Sequence, residues 1–164
     1  MWVDEFGSQL GRTRTYARAP RGTRASGSAP RTRGRNRTTL TSLTLDGLGP
    51  GMVVEGGITT RGFAAYVEHI LAPTLRPGQI VALDTLRQHH GERVRRAIEA
   101  RGAELWFLPS YSPDLHPIEE AFSKVKARLR DAAARGHEAL VAASWDTLRA
   151  ITPADARGSF THGG

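Results

Sequence analysis

At 164 residues, with 39% hydrophobic and 24% charged residues, the chain is long enough for one domain to bury a core. Cysteine is absent, which excludes disulfides and thiolate metal sites and fits a reducing cytoplasm; no apolar run approaches the roughly 18 residues of a membrane span. The net charge of +7, carried almost wholly by arginine, points to nucleic acid or another polyanion, because phosphate contacts release counterions.

Trp2-Val-Asp-Glu-Phe6 reads as a first strand, interrupted by the carboxylate of Asp4. Residues 12–37 then carry nine arginines and no Asp or Glu, with Gly, Ser, Thr and Pro between them. This segment reads as a basic hairpin and loop, with a strand over Thr13–Ala17. Arg12, Arg14, Arg18, Arg21, Arg33 and Arg35 are its candidate nucleic-acid contacts; the alternative is a solvated loop. Thr38–Leu45 alternates Thr or Ser with Leu, the period of a half-buried strand, and Asp46-Gly47 turns the chain into a strand over Gly51–Glu55. Thr59 or Thr60 caps a helix to about Leu71, with Phe63, Val67, Ile70 and Leu71 at helical spacing, and Arg76-Pro-Gly78 breaks it.

Ile80–Leu83 is a short apolar run that ends on Asp84, the pattern of a buried strand. A helix is expected over 91–101, with Val94, Ala97 and Ile98 on one face and Gly102 as its stop. Glu104–Leu108 reads as a strand in which Trp106 and Phe107 pack into the core, and Pro109 to Pro117 reads as a rigid loop. A helix from Pro117 carries Ile118, Phe122, Val125 and Leu129 and ends at Gly136. Another covers 137–150, with Leu140, Val141, Ser144 and Leu148 on one side; from Thr152 a short helix and a loose tail run to residue 164. The sum is a single α/β domain over 1–164. Its mixed sheet has three antiparallel strands joined by turns, then parallel strands joined through helices, with helices flanking the sheet. The first and fourth strands of that sheet can be neighbours, which brings Asp4 to Asp84.

Asp4 within a strand, Asp84 at a strand end and Glu119 in the first turn of a helix suit the binding of hard divalent cations, which take oxygen ligands. Two such ions about 3.5–4 Å apart can support both the attacking and the leaving oxygen of a phosphodiester. Singly, each acid could equally be a turn residue or a helix-dipole partner. His89 and His116 can approach the same place; loop histidines are more often surface or hydrogen-bonding residues than ligands. Lys124 and Lys126, on the helix after Glu119, are candidate contacts to a DNA backbone, set against a solvated face.

Three stretches carry a family resemblance: Leu83-Asp84-Thr-Leu-Arg-Gln-His89, Leu108-Pro-Ser-Tyr-Ser-Pro-Asp-Leu-His-Pro-Ile-Glu119, and the Lys-x-Lys-x-x-Leu pattern from Lys124. With 34 residues between Asp84 and Glu119, and Val3-Asp4-Glu5 at the start, the chain resembles the catalytic domain of mariner-like bacterial insertion-sequence transposases, in the DDE superfamily of ribonuclease-H-like nucleases. The resemblance implies a ribonuclease-H-like fold and Asp4, Asp84 and Glu119 as both catalytic acids and metal ligands, holding Mg²⁺ or Mn²⁺, two ions. It implies DNA strand cleavage at transposon ends and strand transfer by the freed 3′-hydroxyl. DNA is the implied partner, with a homodimer to hold two ends. Glu5 and Glu120 do not occupy motif positions. Thr85 and His116 stand where the family usually has Asn, and the family's N-terminal helix-turn-helix region has no counterpart before Asp4. Two alternatives stay open: a remnant that binds DNA without cutting it, and another ribonuclease-H-like nuclease.

Overall fold

A computed structural model describes residues 1–11, 14, 16–28, 31, 34–109 and 116–162. Strand β1 (Trp2–Ser8) pairs antiparallel with β2 (Arg37–Thr44), in a register running from Trp2 opposite Leu43 to Ser8 opposite Arg37. The far edge of β2 takes two short antiparallel strands, β3 (Gly47–Leu48) and β4 (Met52–Glu55). The Gly49-Pro-Gly51 stretch divides them. A Cβ on Gly49 would lie 2.3 Å from the Ser42 hydroxyl, and one on Gly51 would lie 2.8 Å from the Leu40 carbonyl, so only glycine lets the chain run this close to β2. Pro50 also has no N–H for the ladder.

On the other side of β1 lie β5 (Ile80–Leu83) and β6 (Glu104–Phe107), both parallel, giving the order β3-β2-β1-β5-β6 with β4 also on β2. This is the expected mixed sheet, with the antiparallel third strand split in two. The strand expected over Thr13–Ala17 is not seen: Arg14, Tyr16 and Ala17 are outside any strand, and Thr13 and Thr15 fall outside the described residues. The described part of 12–36 is exposed and irregular, as its glycines, prolines and unbalanced positive charge dictate.

Helix α1 (Thr60–Tyr66) starts at Thr59, whose hydroxyl accepts the Gly62 N–H at 3.1 Å. It runs on as a wide turn over Val67–Leu71 and a tight one over Ala72–Thr74. Pro73 explains the change of pitch: it lacks an N–H, and its ring crowds the carbonyl four residues back. Helix α2 (Glu92–Glu99) crosses from β5 to β6, and the chain leaves it through Gly102 at φ 70°. Helices α3 (Pro117–Ala132), α4 (His137–Arg149) and α5 (Pro153–His162) complete the chain.

Because strand side chains alternate, the sheet divides the core. Val3, Leu40, Val81 and Leu83 pack against Phe63, Tyr66, Val67, Val94 and Ile98 of α1, its extension and α2. Phe6 and Leu43 face the stripe Ile118, Phe122, Val125 and Leu129 of α3, with Leu140, Leu148 and Ala156 behind it. The α3 stripe is the one its spacing implied, but the helix stops earlier than Gly136. Ala133 adopts the left-handed conformation, φ 47°, and ends it. Trp106 is not a core residue: β6 is the sheet edge, and the indole is 55% exposed, with its Nε1–H on Glu104 at 3.1 Å. The short helix expected from Thr152 is α5, and it takes up the chain as far as His162 in place of a loose tail. Thr152 and Asp155 cap α5 reciprocally: the Asp155 carboxylate accepts the Thr152 N–H at 2.9 Å and the Thr152 hydroxyl accepts the Asp155 N–H at 3.2 Å. No described helix is long and apolar enough to cross a membrane.

Candidate active site

Three elements bring acids to one end of the sheet. The parallel register sets Trp2 beside Ala82, so two residues further along each strand Asp4 comes level with Asp84, which directly follows β5. Asp4 shares its face of β1 with Trp2 and Phe6, and both of these meet α3 or its start: the Trp2 ring lies 5.8 Å from that of His116, and Phe6 lies 4.7 Å from Phe122. Asp4 therefore faces the first turn of α3, which carries Glu119. Pro117 and the terminal dipole set that turn: proline suits the first helical position, and the acids Glu119 and Glu120 sit at the positive end.

Asp4 is 9% exposed, and its Oδ1 accepts the Glu5 N–H at 2.7 Å. Burial pushes its carboxyl up to about 7, and the negative charges of Asp84 and Glu119 push the same way against the Glu5 hydrogen bond. Asp84 is half-buried. Burial opposes its charge, but the hydrogen bond and charge of His89, the Leu86 N–H and the charge of His116 outweigh that and hold its carboxyl below the ordinary value. Glu119 is exposed.

Behind Asp84 stands His89, whose side chain is fully buried. Its Nδ1 bonds Oδ1 of Asp84, and the same oxygen accepts the Leu86 N–H at 3.1 Å. Its Nε2 lies 3.9 Å from Oε2 of Glu5, too long for a hydrogen bond but within an ion pair. Burial disfavours the imidazolium, yet Asp84 and Glu5 favour it more strongly and push its pKa up to about 9. With Nδ1 bonded to Asp84 and Nε2 turned to Glu5, both ring nitrogens are engaged within the chain, so His89 acts here as a hydrogen-bonding residue. His116 sits at the start of α3 against Trp2. The sequence favoured a surface or hydrogen-bonding role for His89 over ligation, and it is the hydrogen-bonding role that the structure shows, in a buried position; Glu5 was set aside, and the signal available for it was its nearness in sequence to Asp4.

The basic residues divide. Arg14 pairs with Asp131 at 2.6 Å, Arg35 pairs with Glu55, and Lys124 pairs with Asp155, so these three are engaged within the chain. Arg18 and Arg21 are exposed, and the Lys126 ammonium lies 6.0 Å from the centre of the Phe122 ring. Arg12 and Arg33 lie outside the described residues, as does the signature stretch 110–115.

The donor set is all carboxylate oxygen, the type that hard divalent cations take, and the upward push on Asp4 by its acidic neighbours is the repulsion a cation would relieve. The acids feel one another's charge, but among the described residues no three His, Cys, Asp or Glu side chains are grouped closely enough to hold an ion.

Among curated proteins, none matches the chain by sequence. Solved structures do match in fold. A paired-end complex of the Mos1 transposase with the left transposon end superposes with TM-score 0.66 at 16% identity, covering 99% of this chain and 55% of that one. A Mos1 mariner paired-end complex with Mn gives 0.62 at 16% identity, with 99% and 55% covered. The catalytic domain of Mos1 mariner transposase gives 0.54 at 13% identity, with 99% and 81% covered. The chain thus spans about half the length of the chains in the two paired-end complexes. Its mixed sheet with flanking helices is the ribonuclease-H-like fold of the Mos1 catalytic domain. The family model of the DDE superfamily endonucleases matches residues 1–141, and the chain belongs to that family.

Proposed function

We propose that this chain is a transposase catalytic domain that cuts DNA at the ends of a mobile element and joins the freed 3′-hydroxyl to a target strand. The observation that supports the reading is placement: Asp4 on β1, Asp84 directly after β5 and Glu119 in the first turn of α3 come from three elements that meet at one end of the sheet, in a chain that the DDE endonuclease family matches over residues 1–141. Asp4, Asp84 and Glu119 are the residues that would hold divalent cations, Mg²⁺ or Mn²⁺, two in number; the Mos1 paired-end complexes with Mn and with Mg support the choice of ion. Bound there, the ions supply positive charge to the phosphate as charge builds on it.

In the first step a water oxygen bonds to phosphorus and the bond to the 3′-oxygen breaks, leaving a 5′-phosphate and a 3′-hydroxyl. In the second, that hydroxyl attacks a target phosphorus and displaces the target's own 3′-oxygen. The protein's part is to hold Asp84 by His89 and the Leu86 N–H, to keep Asp4 partly out of water, and to position phosphates with Lys126 and the exposed arginines Arg18 and Arg21. A homodimer would hold two DNA ends together, and a DNA substrate with no cysteine in the chain fits a reducing, cytoplasmic compartment.

A second reading, DNA binding without cutting, is supported by Thr85 and His116, which stand where the family usually has Asn. Nicking of duplex DNA in Mg²⁺ or Mn²⁺, compared between the parent and Asp84→Asn, separates the two. The proposal expects nicking by the parent alone. Equal nicking by both would sink the acid site, and salt-sensitive binding without nicking by either would support the second reading.

A further inference from the structure

We propose that Glu5 and His89 form a buried positioning pair that locks Asp84, so that one oxygen of its carboxylate is held by the protein and the other is turned to a divalent cation. The proposal rests on the reading of Asp84 as a cation ligand.

The geometry is specific. Glu5 is on β1 and Asp84 follows β5, its parallel neighbour, and His89 reaches both from the single turn Arg87–His89. Both hydrogen bonds to Asp84 among the described residues, from Leu86 N and from His89 Nδ1, land on Oδ1, which stops the carboxylate from turning. The imidazole is itself fixed on two sides. Its ring lies 4.2 Å from that of Phe63, and its Nε2 faces Oε2 of Glu5 at 3.9 Å. Glu5 is oriented in turn by Gln88, whose amide donates to Oε1 at 3.2 Å.

Two facts argue against His89 as mere filling. Oε2 of Glu5 and Nε2 of His89 are both buried and neither has a hydrogen-bond partner among the described residues, so each has only the other to offset its loss of water. An apolar side chain would also fill the space against Phe63 without desolvating a carboxylate and an imidazole. What the polar pair adds is orientation of Asp84, as outer partners do for metal-binding carboxylates.

Mn²⁺ binding to the purified chain without DNA, followed by the paramagnetic resonance signal of free Mn²⁺, tests this apart from activity. His89→Phe and Glu5→Gln should each weaken binding by about 10- to 100-fold. His89→Asn, whose amide nitrogen can take the place of Nδ1, should recover part of the loss, which a purely structural role would not produce. Thermal melts accompany each variant; if His89→Phe does not fold, the near-isosteric Glu5→Gln decides. Binding by folded His89→Phe and Glu5→Gln as tight as the parent's would overturn the pair. No binding by the parent, or parent-like binding by Asp84→Asn, would instead overturn the acid site on which the proposal rests.

Discussion

Asp4→Asn should make the protein more stable and less active, and the sign follows from burial. The Asp4 carboxyl goes from an ordinary 3.8 to about 7 in the folded chain, mainly because it is buried and then because Asp84 and Glu119 repel it. At about 1.4 kcal/mol per tenfold, that difference corresponds to on the order of 4 kcal/mol between the charged and neutral forms. Between these two values the folded state holds a proton that the unfolded state has released. This contribution to stability is therefore full at about pH 4, falls as pH rises, and is gone above about pH 7. Asparagine has the same shape and no charge to desolvate. At pH 8 the variant should exceed the parent by roughly 1–4 kcal/mol, and at pH 4 the two should be close. Urea unfolding followed by circular dichroism at both pH values gives the difference directly, and contributions from other titrating groups largely cancel in it. Mn²⁺ should narrow the gap at pH 8, since a cation bound only by the folded parent stabilises it by about 2.7 kcal/mol at a hundredfold excess over Kd. A variant less stable than the parent at pH 8, or a difference independent of pH, would refute the account of Asp4 as a buried, repelled acid.

Ala133→Gly should stabilise the chain by about 1 kcal/mol, because Ala133 ends α3 at φ 47°, where a Cβ is penalised. Calorimetry should show a rise in Tm of about 2–4 °C, and no change or a fall would mean that the backbone there relaxes. Lys126→Ala should weaken DNA binding about equally for all sequences and reduce the slope of log affinity against log salt by about 1, read by anisotropy across a salt series. An unchanged slope would remove Lys126 from the phosphate contacts.

Much of the fold was legible because it depends on local pattern. The α3 stripe from Ile118 to Leu129 follows from spacing, and its start from Pro117. The strand Ile80–Leu83 follows from an apolar run, and α1 from a threonine cap. Other features failed for identifiable reasons. Gly136 was the obvious stop for α3, but residues after Ala132 were free to turn earlier at the cost of one left-handed alanine. Trp106 looked like core because its neighbours are apolar, yet it shares a sheet face with the exposed Glu104, while Leu105 and Phe107 point to the opposite face and pack on the core. The short helix from Thr152 was expected, but its length to His162 and the reciprocal Thr152–Asp155 cap emerge only in the structure.

By itself, then, the sequence determined most of the strands and helices, that the chain is basic, and which acids stand at element ends. Those properties arise from side-chain periodicity and charge, which act over a few residues. The sequence allowed β1 to lie beside β5, as the structure has it; only the tertiary structure decided that Asp4 is buried within reach of the charges of Asp84 and Glu119, and that Glu5 and His89 close in behind Asp84. Desolvation and side-chain pairing depend on contacts between residues some 80 positions apart, and no local pattern encodes them.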